Sequence, residues 1–224
     1  MTGQTDLAQA LRADKTAALH LCPVSRETAR RLDVLVDLLL EWQGKMNLVA
    51  PSTLSHLWTR HIADSLQLVP LAPKARVWVD LGSGAGFPGL VIACALAEQS
   101  DAAVHLVEST GKKANFLREA ARCVNAPAFV HAQRIDEFAK SWSQSADAVT
   151  ARALAPITRL LEHAFPFLQK GAQGLFLKGQ DVEAELTDAA KYWRIEIQSV
   201  PSVTDSRGRV LIVRRAQRIG KAKP

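Results

Sequence analysis

Three glycines at alternate positions, Gly82, Gly84 and Gly86, lie between Asp80 and the pair Pro88–Gly89. Glycine takes positive φ at no steric cost and lets a ligand approach the main chain closely, so the run from Asp80 to Gly89 predicts a binding loop. Val77–Asp80 before it reads as a short strand, and Gly89–Glu98 after it as a helix that Pro88 can open without losing a hydrogen bond. A strand–loop–helix setting is what gives a glycine motif meaning. A dinucleotide fingerprint would need glycine at 87, where Phe87 stands, and the spacing suits a nucleoside without a pyrophosphate. An acid beside the loop, Asp80, matches a cationic methionyl tail better than a phosphate, which a bare helix N-terminus would favour. Glu108 stands 28 residues further on, at the end of the next predicted strand, where it can accept both hydroxyls of a ribose. Loop and acid together point to S-adenosylmethionine (AdoMet).

Other residues can serve such a site. Ile135 and Asp136 follow a third predicted strand: the first offers adenine an apolar face, the second an acceptor for its amino group or simply a helix cap. After a fourth strand stands Thr150-Ala-Arg152-Ala. Arg152 there can bind an RNA phosphate, hydrogen-bond to a guanine O6, or lie on the surface. Lys178 closes a fifth strand, within reach of a phosphate or packed along its stem. His61 either braces a helical segment against the cleft or packs in a helix face. The five tryptophans (42, 58, 78, 142 and 193) are scattered and suit core or cover better than a base-stacking platform. The Asn/Asp-Pro-Pro-aromatic signature of exocyclic-amine methylation is absent, and so is a Pro-Cys or Thr-Cys pair for attack at a pyrimidine C5.

The elements that must position these residues fall into two regimes. Residues 1–24 read as loosely ordered or partly helical. Ser25 can cap a helix to about Gln43, and a second helix is expected after Pro51, with Leu54, Leu57, Ile62 and Leu66 on one face. Pro70 and Pro73 interrupt the pattern. From Val77 strands and helices alternate, ending in an antiparallel pair, Ile195–Val200 and Val210–Arg214. The expected fold is therefore α/β: a Rossmann-like, mostly parallel sheet with helices on both faces, preceded by a small helical subdomain. The domain reading is 1–72 helical extension, 73–216 cofactor-binding domain, 217–224 basic tail.

The chain has 224 residues, 48% hydrophobic and 22% charged, the balance of a soluble globular protein. No apolar run is long enough to span a bilayer, and the first twenty residues lack an export signal. Cys22, Cys94 and Cys123 are far apart, which argues for small buried hydrophobes in a reducing cytoplasm and against a zinc site or disulfide framework. The net charge of +6 is uneven. Seven basic residues and no acid lie between Arg207 and Pro224, leaving 21 basic against 22 acidic residues elsewhere. A basic arm on a neutral body suits RNA, or serves solubility alone.

The runs DLGSGAGFPG, VESTGKKANFL (107–117), RIDEF (134–138), TARAL (150–154) and FLKGQ (176–180), with Asn47-Leu-Val and Arg60-His61-Ile-Ala-Asp64-Ser65, resemble the bacterial 16S rRNA guanine-N7 methyltransferases of the RsmG/GidB type. The likeness covers roughly 47–215. It implies a class I AdoMet methyltransferase fold and methylation of N7 of one guanine, position 527 in the 530 loop of 16S rRNA, on naked RNA, the 30S subunit or an assembly intermediate. By motif, Gly82, Gly84, Phe87, Ile135, Asp136 and Arg152 would line the cofactor site with Glu108 on the ribose. Arg134, Arg152 and Lys178 become candidates for positioning RNA or substrate. Glu108 stands where Asp is common in the family and Asp136 where Glu is common; both keep the carboxylate. A monomer without metal is expected.

Guanine N7 carries a free lone pair and no proton at neutral pH, so its attack on a methyl group needs no general base. Orientation then supplies most of the catalysis, worth on the order of 7–11 kcal/mol in well-aligned reactions. Two rivals stand beside this reading: a methyltransferase for tRNA or a small molecule, and a non-catalytic AdoMet-responsive RNA-binding factor. A nicotinamide oxidoreductase ranks last, since Phe87 breaks its fingerprint.

Overall fold

The computed structural model describes residues 2–220. Seven strands form one sheet in the order β3-β2-β1-β4-β5-β7-β6. Strands β1 (Val77–Leu81), β2 (Ala103–Val107), β3 (Ala128–His131), β4 (Ala148–Arg152) and β5 (Gln173–Lys178) run parallel, and β7 (Arg209–Arg218) lies antiparallel between β5 and β6 (Trp193–Pro201). The mostly parallel, doubly covered sheet is the expected fold class.

On one face α4 (Gly89–Leu96) and α5 (Gly111–Cys123) pack against the sheet, and α2 (Arg26–Gln43) lies over them; Leu32, Leu90 and Phe116 are fully buried there. On the other, α6 (Ile135–Ser141), α7 (Ile157–Leu168) and α8 (Val182–Ala189) bury Phe138, Leu160 and Phe167. Side chains of this size contribute about 1.5–3 kcal/mol each when taken from water. Because β1 and β4 are covered on both faces, they read as nearly continuous apolar runs.

The helical preface differs from expectation in two respects. Residues 2–21 form one continuous helix, α1 (Thr2–Leu21). Its Asp14, 9% exposed, accepts the backbone N–H groups of Trp58 (2.7 Å) and Thr59 (3.1 Å) and the Thr59 hydroxyl. Partners 44 and 45 residues away cannot be read from local periodicity. Ser25 caps α2 as expected, its hydroxyl oxygen accepting from Thr28 N–H, and Gly44 closes it. The second expected helix is instead a 3₁₀ turn at Pro51–His56, a π-helical turn at Trp58–Ala63 and a short α3 (Asp64–Leu66). π turns are rare and concentrate at functional sites.

The C-terminal basic stretch is likewise more ordered than an arm. Arg209, Arg214, Arg215 and Arg218 belong to β7, and Arg218 pairs with Glu162 at 2.7 Å; Lys221 and Lys223 lie outside the described residues. Of the cysteines, Cys94 is buried, Cys22 half-buried and Cys123 exposed, so burial does not explain all three. The tryptophans are core or cover: 58, 78, 142 and 193 are buried and 42 packs against the first core. No helix of the described residues is long and apolar enough to cross a membrane, and none of their His, Cys, Asp and Glu side chains form a group of three or more that would hold a metal ion.

Candidate active site

The strand order reverses between β1 and β4, and clefts in such sheets open at that point beyond the carboxyl ends of the strands. The glycine loop sits there. Gly82, Gly84 and Gly86 have φ of +71°, +57° and +91°, conformations that L side chains resist. A Cβ on Gly82 would come 2.7 Å from Leu154 Cδ1. The Gly82 and Ser83 N–H groups donate to the Val107 carbonyl at 2.9 and 3.0 Å, pinning the loop to the end of β2.

Glu108 follows β2 and is 7% exposed. Its Oε2 accepts from Gly84 N–H at 3.0 Å and its Oε1 from Thr110 N–H at 2.7 Å. One carboxylate thus holds both the glycine loop and the entry to α5, with lone pairs left over, since two oxygens offer about four acceptor positions. Asp80 plays a different part from the one its sequence position suggests. It is 1% exposed and absent from the cleft walls, with Oδ1 accepting from the Thr150 hydroxyl (2.9 Å) and Oδ2 from Gly89 N–H (3.1 Å). Burial pushes its pKa up to about 6, against the pull of hydrogen bonds from Ser83, Thr150 and Gly89. Asp80 braces β1 to β4 and to the N-terminus of α4.

Two cavities open at this end of the sheet and share Gly82, Gly84, Arg152 and Ala153. The first, about 560 Å³, is lined by Glu108, Arg134, Ile135, Asp136 and His163. The second, about 440 Å³, is lined by Arg60, His61, Asp64, Phe87 and Lys178. The sequence-predicted residues are therefore brought together, but divided. Glu108, Arg134, Ile135 and Asp136 reach the first cavity, Phe87 and Lys178 the second, and Gly82, Gly84 and Arg152 both. Asp136 does not cap α6, whose N-cap position is Arg134 without a side-chain bond. Its Oδ1 lies 3.1 Å from His163 Nδ1, a partner on α7 that no local signal announces.

The second cavity is organised by Arg152. Its Nη1 donates to the Arg60 carbonyl at 3.1 Å, its Nη2 lies 2.7 Å from His61 Nδ1, and its guanidinium sits 5.2 Å from the Phe87 ring centre. His61 stacks on the same ring at 4.9 Å. Burial, then the charges of Arg152 and Arg60, hold the His61 pKa down to about 3. A guanidinium only donates, so the neutral imidazole accepts at Nδ1 and donates from Nε2 to Thr53 Oγ1, 3.0 Å away; that hydroxyl donates in turn to the Ala50 carbonyl at 2.8 Å. Ala153, next to Arg152, has φ +50°, a strained conformation of the kind that clusters at functional sites.

The π-helical turn supplies Arg60 and His61 to this cavity, and Asp64 follows it directly. The loop between β6 and β7 is fastened to them. Asp64 Oδ1 accepts from Thr204 Oγ1 and Gln67 Nε2, both at 2.8 Å, and Arg60 pairs with Asp205 at 2.7 Å. Burial raises the Asp64 pKa, while Thr204, Arg152 and Arg60 act to lower it. Lys178 lines the cavity, yet its ammonium is engaged by Glu185 (2.6 Å) and the Ala155 carbonyl (3.1 Å). Arg60 and Asp64 stand inside a motif quoted from sequence, but their roles needed the fold.

A family model described as rRNA small subunit methyltransferase G (GidB) matches residues 28–212. The chain belongs to that family. A relative from Bradyrhizobium sp. strain BTAi1, named ribosomal RNA small subunit methyltransferase G, is 60% identical over 206 residues, 92% of this chain and 93% of its own. A relative of the same name from Rhodopseudomonas palustris strain BisB5 is 54% identical over 206 residues, 92% of this chain and 88% of its own. A family of methyltransferases also agrees with the fold neighbours. A putative O-methyltransferase from Klebsiella pneumoniae aligns with TM-score 0.56 at 13% identity, covering 93% of this chain and 98% of that one. An O-methyltransferase from Bacillus cereus, solved in complex with SAH, aligns with TM-score 0.56 at 12% identity, covering 93% and 100%. At that identity the likeness concerns the class I methyltransferase fold.

Proposed function

We propose that this chain transfers the methyl group of AdoMet to N7 of a guanine in 16S rRNA, position 527 of the 530 loop by family resemblance. The observation that carries the reading is the junction of the two cavities at Gly82, Gly84, Arg152 and Ala153. A nucleoside cofactor held on one side of it meets a base held on the other.

The residues present fit AdoMet. Gly82 and Gly84, both at positive φ, leave the main chain open to close approach in the wall of the first cavity, Glu108 keeps acceptor capacity there, and Ile135 and Asp136 line the same cavity. When bound, AdoMet supplies an electrophilic methyl group. The chain's own task is orientation. Arg152, held by the Arg60 carbonyl and His61, stabilises electron-rich oxygens near the junction, and the stack of His61 on Phe87 fixes the wall against which a base rests. No base is required for N7, and the His61 Nδ1 lone pair is already committed to Arg152.

The substrate is read as 16S rRNA, naked, in the 30S subunit or in an assembly intermediate, met in the cytoplasm by a single chain, since one chain builds both cavities. Residues 1–72 are read as a helical extension that completes the second cavity and 73–216 as the methyltransferase domain, while the basic tail read over 217–224 begins on the last two residues of β7. Arg134, Arg152 and Lys178 are read as positioning residues. Borohydride–aniline cleavage and primer extension on 16S rRNA from cells with and without the gene test the reading. A cleavage in the 530 loop that depends on the gene is expected; an unchanged pattern would reject it.

A further inference from the structure

We infer that Asp64 reads the Watson–Crick edge of the target guanine, making it a specificity-determining residue of the second cavity; this deepens the reading above and rests on it. The argument begins from what the reaction forbids. Guanine is most often recognised by an arginine bidentate to N7 and O6. A base whose N7 must stay open to receive a methyl group cannot be held that way. Its identity has to be read on another edge, and in loops that edge is free to be hydrogen-bonded. Guanine presents two donors there, N1–H and the 2-amino group, where adenine presents an acceptor at N1 and no 2-amino group. The complement to two donors is a carboxylate.

The second cavity has two carboxylates in its wall, Asp64 and Asp205. Each oxygen of Asp205 already has a donor, Arg60 on Oδ2 at 2.7 Å and Arg207 N–H on Oδ1 at 3.0 Å. In Asp64 the work is divided between the two oxygens. Oδ1 takes Thr204, Gln67 and, at 3.5 Å, Ser202, fastening the β6–β7 loop. Oδ2 has no hydrogen-bond donor within reach among the described residues; the nearest cation, Arg152 Nη1, is 3.7 Å away. At that distance Arg152 favours the charged carboxylate, against burial, which disfavours it, and leaves lone pairs free. Asp64 is in the wall of that cavity with its side chain 17% exposed, which leaves lone pairs on Oδ2 open to a ligand that supplies the donors. Arg152, on the border with the first cavity, is placed to reach O6 on the side nearer N7.

Reconstituted 30S particles carrying guanosine or inosine at the target position test this, with methyl transfer measured for the native protein and Asp64→Asn. Inosine lacks only the 2-amino group. Asparagine can keep an oxygen toward Thr204 and Gln67 while presenting a donor to the cavity. The native protein is expected to lose at least tenfold in kcat/KM on inosine, the size of a hydrogen bond to a charged group. Asp64→Asn is expected to lose as much on guanosine and little more on inosine, since two changes to one contact do not add. AdoMet affinity measured by calorimetry should be the same in both proteins. Native enzyme indifferent to inosine would overturn the assignment however the variant folds. So would penalties that multiply, or a variant with weakened AdoMet binding, which would place Asp64 on the cofactor instead. Failure of the native protein to methylate the guanosine particle would remove the underlying function as well.

Discussion

Arg152 and His61 are 91 residues apart in the chain and 2.7 Å apart at Nη2 and Nδ1. The contact joins the end of β4 to the π-helical turn, and it exists only because the imidazole is neutral. The same guanidinium also takes the Arg60 carbonyl and covers Phe87, so three anchors converge on one planar group.

Lysine cannot reproduce that fork. In Arg152→Lys we expect methyl transfer to fall by at least tenfold, following from the loss of one charged hydrogen bond worth about 1.5–3 kcal/mol. Single-turnover transfer on 30S particles, beside a thermal melt, checks it. Native activity in a folded variant would show that the fork geometry is dispensable.

Gly82→Val places a branched side chain at φ +71° and against Leu154. AdoMet binding by calorimetry should be abolished, while circular dichroism stays close to that of the parent because the loop lies at the rim of the sheet. Unchanged cofactor affinity would argue against this loop as the site.

Glu108→Gln substitutes an amide N–H₂ for one of two oxygens that face backbone N–H donors. A donor set against a donor should cost about 1–3 kcal/mol in stability, and AdoMet affinity should weaken at least tenfold. Urea unfolding and titration calorimetry read the two effects separately.

Acid should act through His61. Its folded pKa, about 3, is below the unfolded value near 6.5. Between those values the unfolded chain binds the extra proton, so stability falls as pH drops through that window, by about 1.4 kcal/mol per pH unit for one proton. His105, lowered to about 4 by burial and its neighbour His131, adds the same sign; Asp80, raised to about 6, opposes it between roughly pH 4 and 6. His61→Gln should therefore lose stability less steeply than the parent between pH 6.5 and 5, the other groups cancelling in the comparison. Parallel slopes in urea denaturation at several pH values would contradict the buried neutral imidazole.

Much of the first cavity was legible in the residues themselves. The glycine loop, Glu108 and the pair Ile135–Asp136 each sit at the end of a strand, and in an alternating fold strand ends converge on one edge of the sheet. Local pattern is enough for that, because the period of the strands and the turn chemistry of glycine are set by the backbone. The second cavity was less legible. Arg60, His61 and Asp64 stand on a turn that simple 3.6-residue periodicity read as a regular helix, and Asp14 shapes that turn from α1. His163 carries no local mark of its contact with Asp136. Asp80 departs from expectation for the same reason: its position beside the loop says nothing of Thr150 and Gly89, which turn its carboxylate inward.

The chain alone thus determined the order of strands and helices, the glycine loop at the end of β1 and the acid at the end of β2, since these depend on residues close together in sequence. Tertiary structure alone decided which charges face the cleft and which are spent holding it together. That choice rests on partners 70 to 140 residues apart, as for Thr150 with Asp80 and Thr204 with Asp64. Burial then sets the protonation of those groups, because removing a charge from water costs more than most single contacts return.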